Sequence, residues 1–196
     1  MGKVYPAIDG RLRDFLLAQP VFFVATAPTQ GHVNVSPKGM RGTFVVLDGR
    51  RVAYLDYTGS GVETIARLRD NGRITLMFCA FEGPPKIVRL HGRGEAVLPA
   101  DPRFADLRRA FPEEHTEHGL RSIILVDVER ISDSCGFAVP LMQYVGERGL
   151  LTEWAQRKSA EELVAYRRQR NATSIDGLPG LAEELGSAHE RAPAST

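Results

Sequence analysis

The sequence predicts a mainly β protein with added helices, an α+β chain built on an antiparallel barrel of six strands. Apolar, β-branched stretches follow one another at short spacing, and Asp48-Gly49 between two of them is a strong hairpin signal. Helical patterns lie before, between and after these stretches instead of following each one, which disfavours a parallel α/β sheet. With 196 residues, 43% of them hydrophobic, the chain can bury a core without disulfide bonds or a metal.

The elements of this barrel follow from local patterns, beginning with a helix within residues 1–20. Asp9 can cap this helix, Leu12 and Leu16 recur at helical spacing, and Pro20 ends it. Clear strand patterns occupy residues 21–27, 43–47, 51–56, 73–81, 86–98 and 121–131, and a shorter alternating stretch occupies residues 32–36.

Glycines and caps mark where the chain bends and where helices begin and end. Gly92, inside the long strand 86–98, predicts a bulge or sharp bend of the kind a barrel needs at a corner. A helix at 62–70 is closed by Gly72, and Asp101, followed by proline, marks another helix start. Helical patterns resume near residue 150, where Ser159 and Glu162 form a predicted capping box.

These patterns divide the chain into four parts. The last part is small, polar and rich in proline, a composition that does not support a packed core. The predicted parts are an N-terminal helix at 1–20, a barrel domain at 21–149, a helical extension at 150–186 and a disordered tail at 187–196.

The most informative stretch is a strand, a glycine-rich loop at Thr58-Gly59-Ser60-Gly61, and then a helix start. Ser60 and Glu63 are spaced as a capping box, which predicts where the helix begins. The first amides of a helix lack intrahelical partners, and the helix dipole places positive charge there, so a phosphate fits such a loop. The alternative is a capped turn that binds nothing.

A second polar feature lies at the end of the stretch 32–36, in Asn34-Val35-Ser36-Pro37-Lys38-Gly39. Lys38 offers a positive charge, and Ser36 and Asn34 offer further donors to an anion. A solvent-exposed strand end is the plain alternative. Two neighbouring elements that each end in a polar glycine turn can close on one anion, and this pairing is the central expectation.

The order of these motifs resembles the pyridoxamine 5′-phosphate oxidase-like family, which has the FMN-binding split-barrel fold. The resemblance runs from about Val21 to Ile131 and includes Val-Asn-Val-Ser-Pro-Lys-Gly, the loop before the helix, and Asn71-Gly72-Arg73-Ile74-Thr75. It implies a homodimer with FMN at the interface, the phosphate held by Lys38 and the loop, and a small-molecule substrate oxidised or reduced by the flavin.

The chain departs from that pattern at several positions. Gly59-Ser60-Gly61 stands where the vitamin B6 enzyme has Ser-Arg-Lys, Val33 replaces an arginine, and Ile87 replaces a glutamine that contacts the flavin. Charge-assisted hydrogen bonds are worth about 1.5–3 kcal/mol each, so the losses argue against pyridoxamine phosphate as the substrate. We expect a divergent FMN-dependent oxidoreductase; the alternative is a non-catalytic binder or carrier of haem, the deazaflavin F420 or another ligand on the same barrel.

The candidate cofactor-binding residues are drawn from the two polar features and the later strand. Arg89 is included because a cation near a flavin ring would tune it, and it shares a face with Ile87 and His91. No side chain stands out as catalytic, and no metal site is expected. The candidates are Asn34, Ser36, Lys38, Asp56, Thr58, Gly59, Ser60, Gly61 and Arg89.

Composition excludes several other classes. A net charge of +1 argues against a general nucleic-acid binder, and the oligonucleotide-binding barrel would need basic and aromatic residues interleaved on one face. Apolar stretches fall short of the roughly 20 residues that a membrane span requires, so no membrane partner is expected. Two distant cysteines, Cys79 and Cys135, predict reduced thiols and a cytoplasmic location.

Overall fold

A computed structural model describes residues 2–115 and 117–181. The predicted tail at 187–196 and the end of the predicted extension at 150–186 lie outside these residues. The strands are β1 (Val4–Tyr5), β2 (Phe22–Thr26), β3 (Asn34–Lys38), β4 (Phe44–Val46), β5 (Arg51–Tyr57), β6 (Arg73–Cys79), β7 (Ile87–Val97) and β8 (Leu120–Ser134). The helices are α1 (Gly10–Ala18), α2 (Glu63–Asn71), α3 (Phe104–Arg108), α4 (Leu150–Gln156) and α5 (Ala160–Arg170).

The strands form one antiparallel sheet in the order β3-β2-β6-β7-β8-β5-β4, with β1 paired to β8. The predicted class, a mainly β chain with helices on a split barrel, is confirmed. The described residues hold eight strands, whereas the sequence predicts six. The count differs because β1 has only two residues and β3 is short and polar, so neither carries a full alternating pattern.

The sheet curls until strands far apart in its order meet inside. The ring of Phe22 on β2 lies 5.3 Å from that of Phe44 on β4 and 5.2 Å from that of Phe78 on β6. The predicted bulge in the long strand is confirmed, because the pairing of β7 with β8 shifts register between His91 and Gly92. A Cβ on Gly92 would lie 2.0 Å from the carbonyl oxygen of Asp127, so only glycine allows this approach.

Helix starts agree with the sequence where the cap is local. Asp9 caps α1 by accepting a hydrogen bond from the Leu12 amide at 2.8 Å, and the capping box of Ser159 and Glu162 opens α5. Gly72 closes α2 with a φ of 70°, also as predicted. The α3 helix begins at Phe104, three residues after Asp101, because Asp101 instead accepts the backbone N–H of Arg103 within a turn.

The predicted capping box at the start of α2 is wrong. The N-cap position is Val62, and no side chain caps the helix. The Glu63 carboxylate pairs with the buried Arg67 one turn along the helix at 3.0 Å and accepts the distant Ile175 amide at 3.1 Å, so these two partners hold it away from Ser60. The first turn of α2 therefore keeps amides without a side-chain acceptor.

The core lies between the curled sheet and the helices α1 and α2. Leu12 and Leu16 of α1 pack in the same apolar cluster as Ile65 of α2 and the rings described above. Helices that could cross a membrane, by length and apolar content together, do not occur in the ranges 2–115 and 117–181.

Candidate functional site

A cleft of about 860 Å³ opens where the barrel is split, between β3 and the start of α2. We refer to it as the β3–α2 cleft. Asn34, Ser36 and Lys38 line one side of it, and residues 59–61 line the other. The two polar features that the sequence singled out therefore face one another across a single cavity.

The register of β3 explains why its polar side chains point into this cleft. Lys38 pairs with Phe22 and Ser36 pairs with Val24, and paired residues of an antiparallel sheet lie on the same face. Phe22 and Val24 are buried in the barrel core. Lys38 and Ser36 therefore lie on the inner face, at the end of the barrel where the apolar core gives way to the cleft.

Asp56 lies beneath the cleft and forms ion pairs with two of the basic side chains that line it. The residue is 1% exposed, and its carboxylate accepts hydrogen bonds from Lys38 Nζ at 3.2 Å, Arg121 Nε at 2.7 Å and Ser122 Oγ at 3.1 Å. Burial alone would raise the pKa of Asp56, but the charges of Arg121 and Lys38 outweigh burial and hold this pKa well below its ordinary value. Two cations against one carboxylate leave one excess positive charge beside the cleft.

Arg121 is a component of the site that the sequence analysis did not identify. It lines the cleft, is buried, and its Nη1 donates to the Gly61 carbonyl at 2.7 Å and to Asn171 Oδ1 at 2.9 Å. Its only local signal is a charged residue at the start of the predicted strand 121–131. Its partners are 50 or more residues away in sequence, so that signal carried no information on its role.

Thr58 supports the loop from below. It is buried, donates through Oγ1 to the Gly119 carbonyl at 2.8 Å, and accepts a hydrogen bond from Arg167 Nε at 2.8 Å. Neither Thr58 nor Asp56 lines the cavity, but Asp56 holds Lys38 and Arg121, which do.

Arg89 is not brought together with the other candidates within this chain. The strand register places Arg89 opposite Met77, Met77 opposite Phe23, and Phe23 opposite Pro37. Because Pro37 alternates with Ser36 and Lys38 along β3, Arg89 lies on the outer face of the sheet. Its guanidinium donates to Ser134 Oγ at 3.1 Å.

A segment after β8 covers part of the cleft. Tyr144, Glu147 and Leu150 are among its lining residues. The Glu147 carboxylate accepts the backbone amides of Met40 at 3.3 Å and Arg41 at 3.2 Å, which holds the segment against the corner after β3.

The arrangement is suited to binding an anion with an apolar group attached. Lys38 and Arg121 supply positive charge, and the uncapped first turn of α2 adds amides and the positive end of the helix dipole. Leu150 and Leu151 add apolar surface at the same cleft. Clusters of three or more metal-binding side chains do not occur in the described part of the chain.

Comparisons with known proteins show which family the chain resembles in sequence. A family model described as pyridoxamine 5′-phosphate oxidase matches residues 8–135. The pyridoxamine 5′-phosphate oxidase family protein ustO of Aspergillus flavus is 41% identical over an alignment of 192 positions, covering 90% of this chain and 77% of that protein.

Solved structures give more distant similarities. HupZ of Group A Streptococcus is 25% identical, with a TM-score of 0.51, and the match covers 63% of this chain and 91% of that one. A FAD-binding protein of Mesorhizobium loti is 18% identical, with a TM-score of 0.48, over 68% of this chain and 96% of its own. The family model and the Aspergillus relative together carry the family assignment.

Proposed function

Because the chain belongs to the pyridoxamine 5′-phosphate oxidase family, we propose that its β3–α2 cleft binds the phosphate end of FMN. The protein is then a flavoprotein oxidoreductase that acts on a small molecule. The observation that carries the proposal is the convergence of Lys38 and residues 59–61 on one cleft beside an excess positive charge.

The size and donors of the cleft fit such a group. About 860 Å³ lies within the range of about 300–1,000 Å³ typical of sites for cofactor-sized ligands. Lys38 uses one of its three ammonium donors on Asp56, and its side chain is 23% exposed, so it can also donate to an anion in the cleft. The first turn of α2 has no side-chain cap, which leaves its amides for the same anion.

Arg121 supplies part of the positive charge that the family pattern places in the loop and that this chain lacks there. Residues 59–61 carry no cation, but Arg121 lies directly behind them and reaches the Gly61 carbonyl. The basic group thus comes from β8 instead of from the loop itself. This placement supports FMN binding while leaving pyridoxamine phosphate a poor substrate candidate.

The roles of the protein's own residues follow from their positions. Lys38, Ser36 and the loop amides anchor the phosphate, and Asp56 and Arg121 keep Lys38 and the loop in place. Leu150 and Leu151 add apolar surface beside the bound group. When bound, FMN supplies the hydride or electron transfer, so the chain itself needs no strong acid or base.

A homodimer with the cleft at its interface is part of the proposal. Apolar side chains are exposed on β3 and just before it, with Val35 59% exposed on the strand and Val33 69% exposed at the preceding residue. A contiguous apolar face of this kind is typical of protein–protein contacts.

A reducing, cytoplasmic environment is supported by Cys79 and Cys135, which are free thiols.

The deciding experiment is the visible spectrum of the purified protein, followed by mass spectrometry of the extracted cofactor. We expect a yellow protein whose extract contains FMN, and an apoprotein that recovers the spectrum when FMN is added. A haem spectrum or extracted F420 would replace FMN with that ligand. A colourless protein that neither binds FMN nor melts at a higher temperature with it would refute flavin binding.

A further inference from the structure

The rear of the glycine loop is held by Asn171, the residue that ends α5. Asn171 is fully buried, and its side-chain amide bridges two groups. Nδ2 donates to the Gly59 carbonyl at 3.0 Å, and Oδ1 accepts from Arg121 Nη1 at 2.9 Å. A single side chain from outside the matched range 8–135 thus contacts both the loop and its buried arginine.

These contacts determine which way the loop peptides point. Arg121 Nη1 also donates to the Gly61 carbonyl at 2.7 Å, so the carbonyls of both glycines are directed toward the Arg121–Asn171 pair. In a planar trans peptide the N–H of the next residue points opposite to the carbonyl. The amides of Ser60 and Val62 are therefore directed away from Asn171.

Backbone hydrogen bonds on both sides fix the position of Asn171. Its backbone amide donates to the Arg167 carbonyl at 2.7 Å, and its carbonyl accepts the Leu181 amide at 2.8 Å. One turn earlier, Arg167 Nε donates to Thr58 Oγ1 at 2.8 Å, at the first residue of the loop. The end of α5 therefore reaches the loop directly at Thr58 and Gly59, and at Gly61 through Arg121.

We propose that Asn171 is a positioning residue for the anion site. By holding the Gly59 carbonyl and Arg121 together, it keeps the loop amides directed at the cleft, so that the C-terminal helix sets the affinity for the phosphate group. The proposal rests on the proposed function, in which that phosphate belongs to FMN. It predicts a selective effect on the phosphate end of the ligand and none on the ring.

The test compares FMN with riboflavin, which has the same ring and ribityl chain but no phosphate. Apoprotein is titrated with each ligand by fluorescence for the unmodified protein, Asn171→Ala and Asn171→Ser. Both substitutions are expected to weaken FMN binding about tenfold, because they release a carbonyl and an arginine from their partners, and to leave riboflavin binding unchanged. Asn171→Ser is less disruptive and provides the measurement if Asn171→Ala does not fold.

The matched control is Ser174→Ala in the same C-terminal segment. Ser174 Oγ accepts the Leu178 amide at 3.1 Å, so its loss loosens this segment without a contact to the loop. Ser174→Ala should lower the melting temperature of the apoprotein while keeping the FMN-to-riboflavin affinity ratio. The ratio therefore separates a positioning role from a general loss of stability.

Each outcome has a distinct meaning. If the unmodified protein binds neither ligand, the proposed function fails. If it prefers FMN and the Asn171 variants keep that preference, the function stands and the positioning role is refuted. Equal weakening of FMN and riboflavin would also refute it, since Asn171 would then act only through stability.

Discussion

Lys38 Nζ lies 3.2 Å from Asp56 Oδ1, although β2, β6, β7 and β8 separate their two strands in the sheet order. This ion pair bridges the opening of the barrel, where main-chain pairing between β3 and the β4–β5 hairpin is replaced by side chains. The pair therefore serves two purposes, because it joins the ends of the curled sheet and places an ammonium group at the cleft.

Replacing Lys38 tests the proposed phosphate contact. Lys38→Ala should weaken FMN binding at least tenfold, since it removes a charge-assisted hydrogen bond of about 1.5–3 kcal/mol. Isothermal titration of the apoprotein measures the change. Lys158→Ala is the matched control, because Lys158 Nζ lies over the Trp154 ring outside the cleft and its loss should leave FMN affinity unchanged. Haem held by an axial histidine would show no such dependence on Lys38.

Replacing Asp56 tests the buried charge cluster. Asp56→Asn keeps the shape of the side chain but leaves the Arg121 guanidinium buried without its carboxylate, which should lower the free energy of unfolding by about 3 kcal/mol. Urea denaturation at pH 7 measures this. Asp127→Asn breaks an exposed pair with Arg51 and should change stability by less than about 0.5 kcal/mol. Similar losses in the two variants would contradict a cluster of this strength.

The lowered pKa of Asp56 predicts how stability depends on pH. The ordinary pKa of this carboxyl group is 3.8. Below that pH the Asp56 carboxylate of the unfolded chain is protonated, whereas that of the folded protein remains ionised. Stability from this group is therefore complete near neutral pH and is lost as the pH falls below about 5. Melting temperatures measured between pH 7 and pH 3 should fall more steeply for the unmodified protein than for Asp56→Asn. Parallel curves would show that Asp56 does not titrate in this way.

The bulge at Gly92 predicts a severe effect from a single methyl group. In Gly92→Ala the Cβ would meet the Asp127 carbonyl at 2.0 Å, and the backbone must move at the corner of the barrel. We expect a loss of about 2–3 kcal/mol in the free energy of unfolding, measured with urea. Gly10→Ala is the control, because a Cβ at Gly10 meets nothing within 4 Å and the helix should tolerate or favour alanine. A tolerated Gly92→Ala would mean that the strand can straighten there.

The proposed homodimer can be tested at the outer face of β3. Val35→Lys places a charge on an exposed apolar position and should shift the protein toward monomer in multi-angle light scattering. Ile175→Lys makes the same change at a position that is 74% exposed on the C-terminal segment, and should keep the dimer. A monomeric unmodified protein, or an unaffected Val35→Lys dimer, would place the interface elsewhere or remove it.

Local signals account for what the sequence predicted correctly. The Asp48-Gly49 hairpin, the Asp9 cap and the Gly92 bulge each depend on a few neighbouring residues and on the limits of backbone geometry. The sequence also predicted that Lys38 and the glycine loop lie on one cleft, because each of the two elements ends in a turn of polar and glycine residues.

Long-range contacts account for what the sequence analysis missed. Asn171 and Gly59 are 112 residues apart in sequence, and Arg121 and Asp56 are 65 residues apart, so no local sequence pattern predicts either contact. The capping box at Ser60 failed partly for the same reason, since the Glu63 carboxylate accepts the distant Ile175 amide in addition to its i,i+4 pair with Arg67. The pleat places Arg89 on the outer face of the sheet, away from the other candidates, and its expected contact with a flavin ring stays a prediction.

The 15-residue strand β8 has a consequence for the order in which the protein acquires its parts. β8 pairs with β1, β5 and β7, and Arg121 lies near its beginning. During synthesis β5 can pair with β4 and β7 with β6, but each lacks its second neighbour until β8 emerges. The anion-binding corner is thus among the last features to form. A nascent chain that stops before residue 120 contains both loop glycines but lacks Arg121, which contacts the loop from β8.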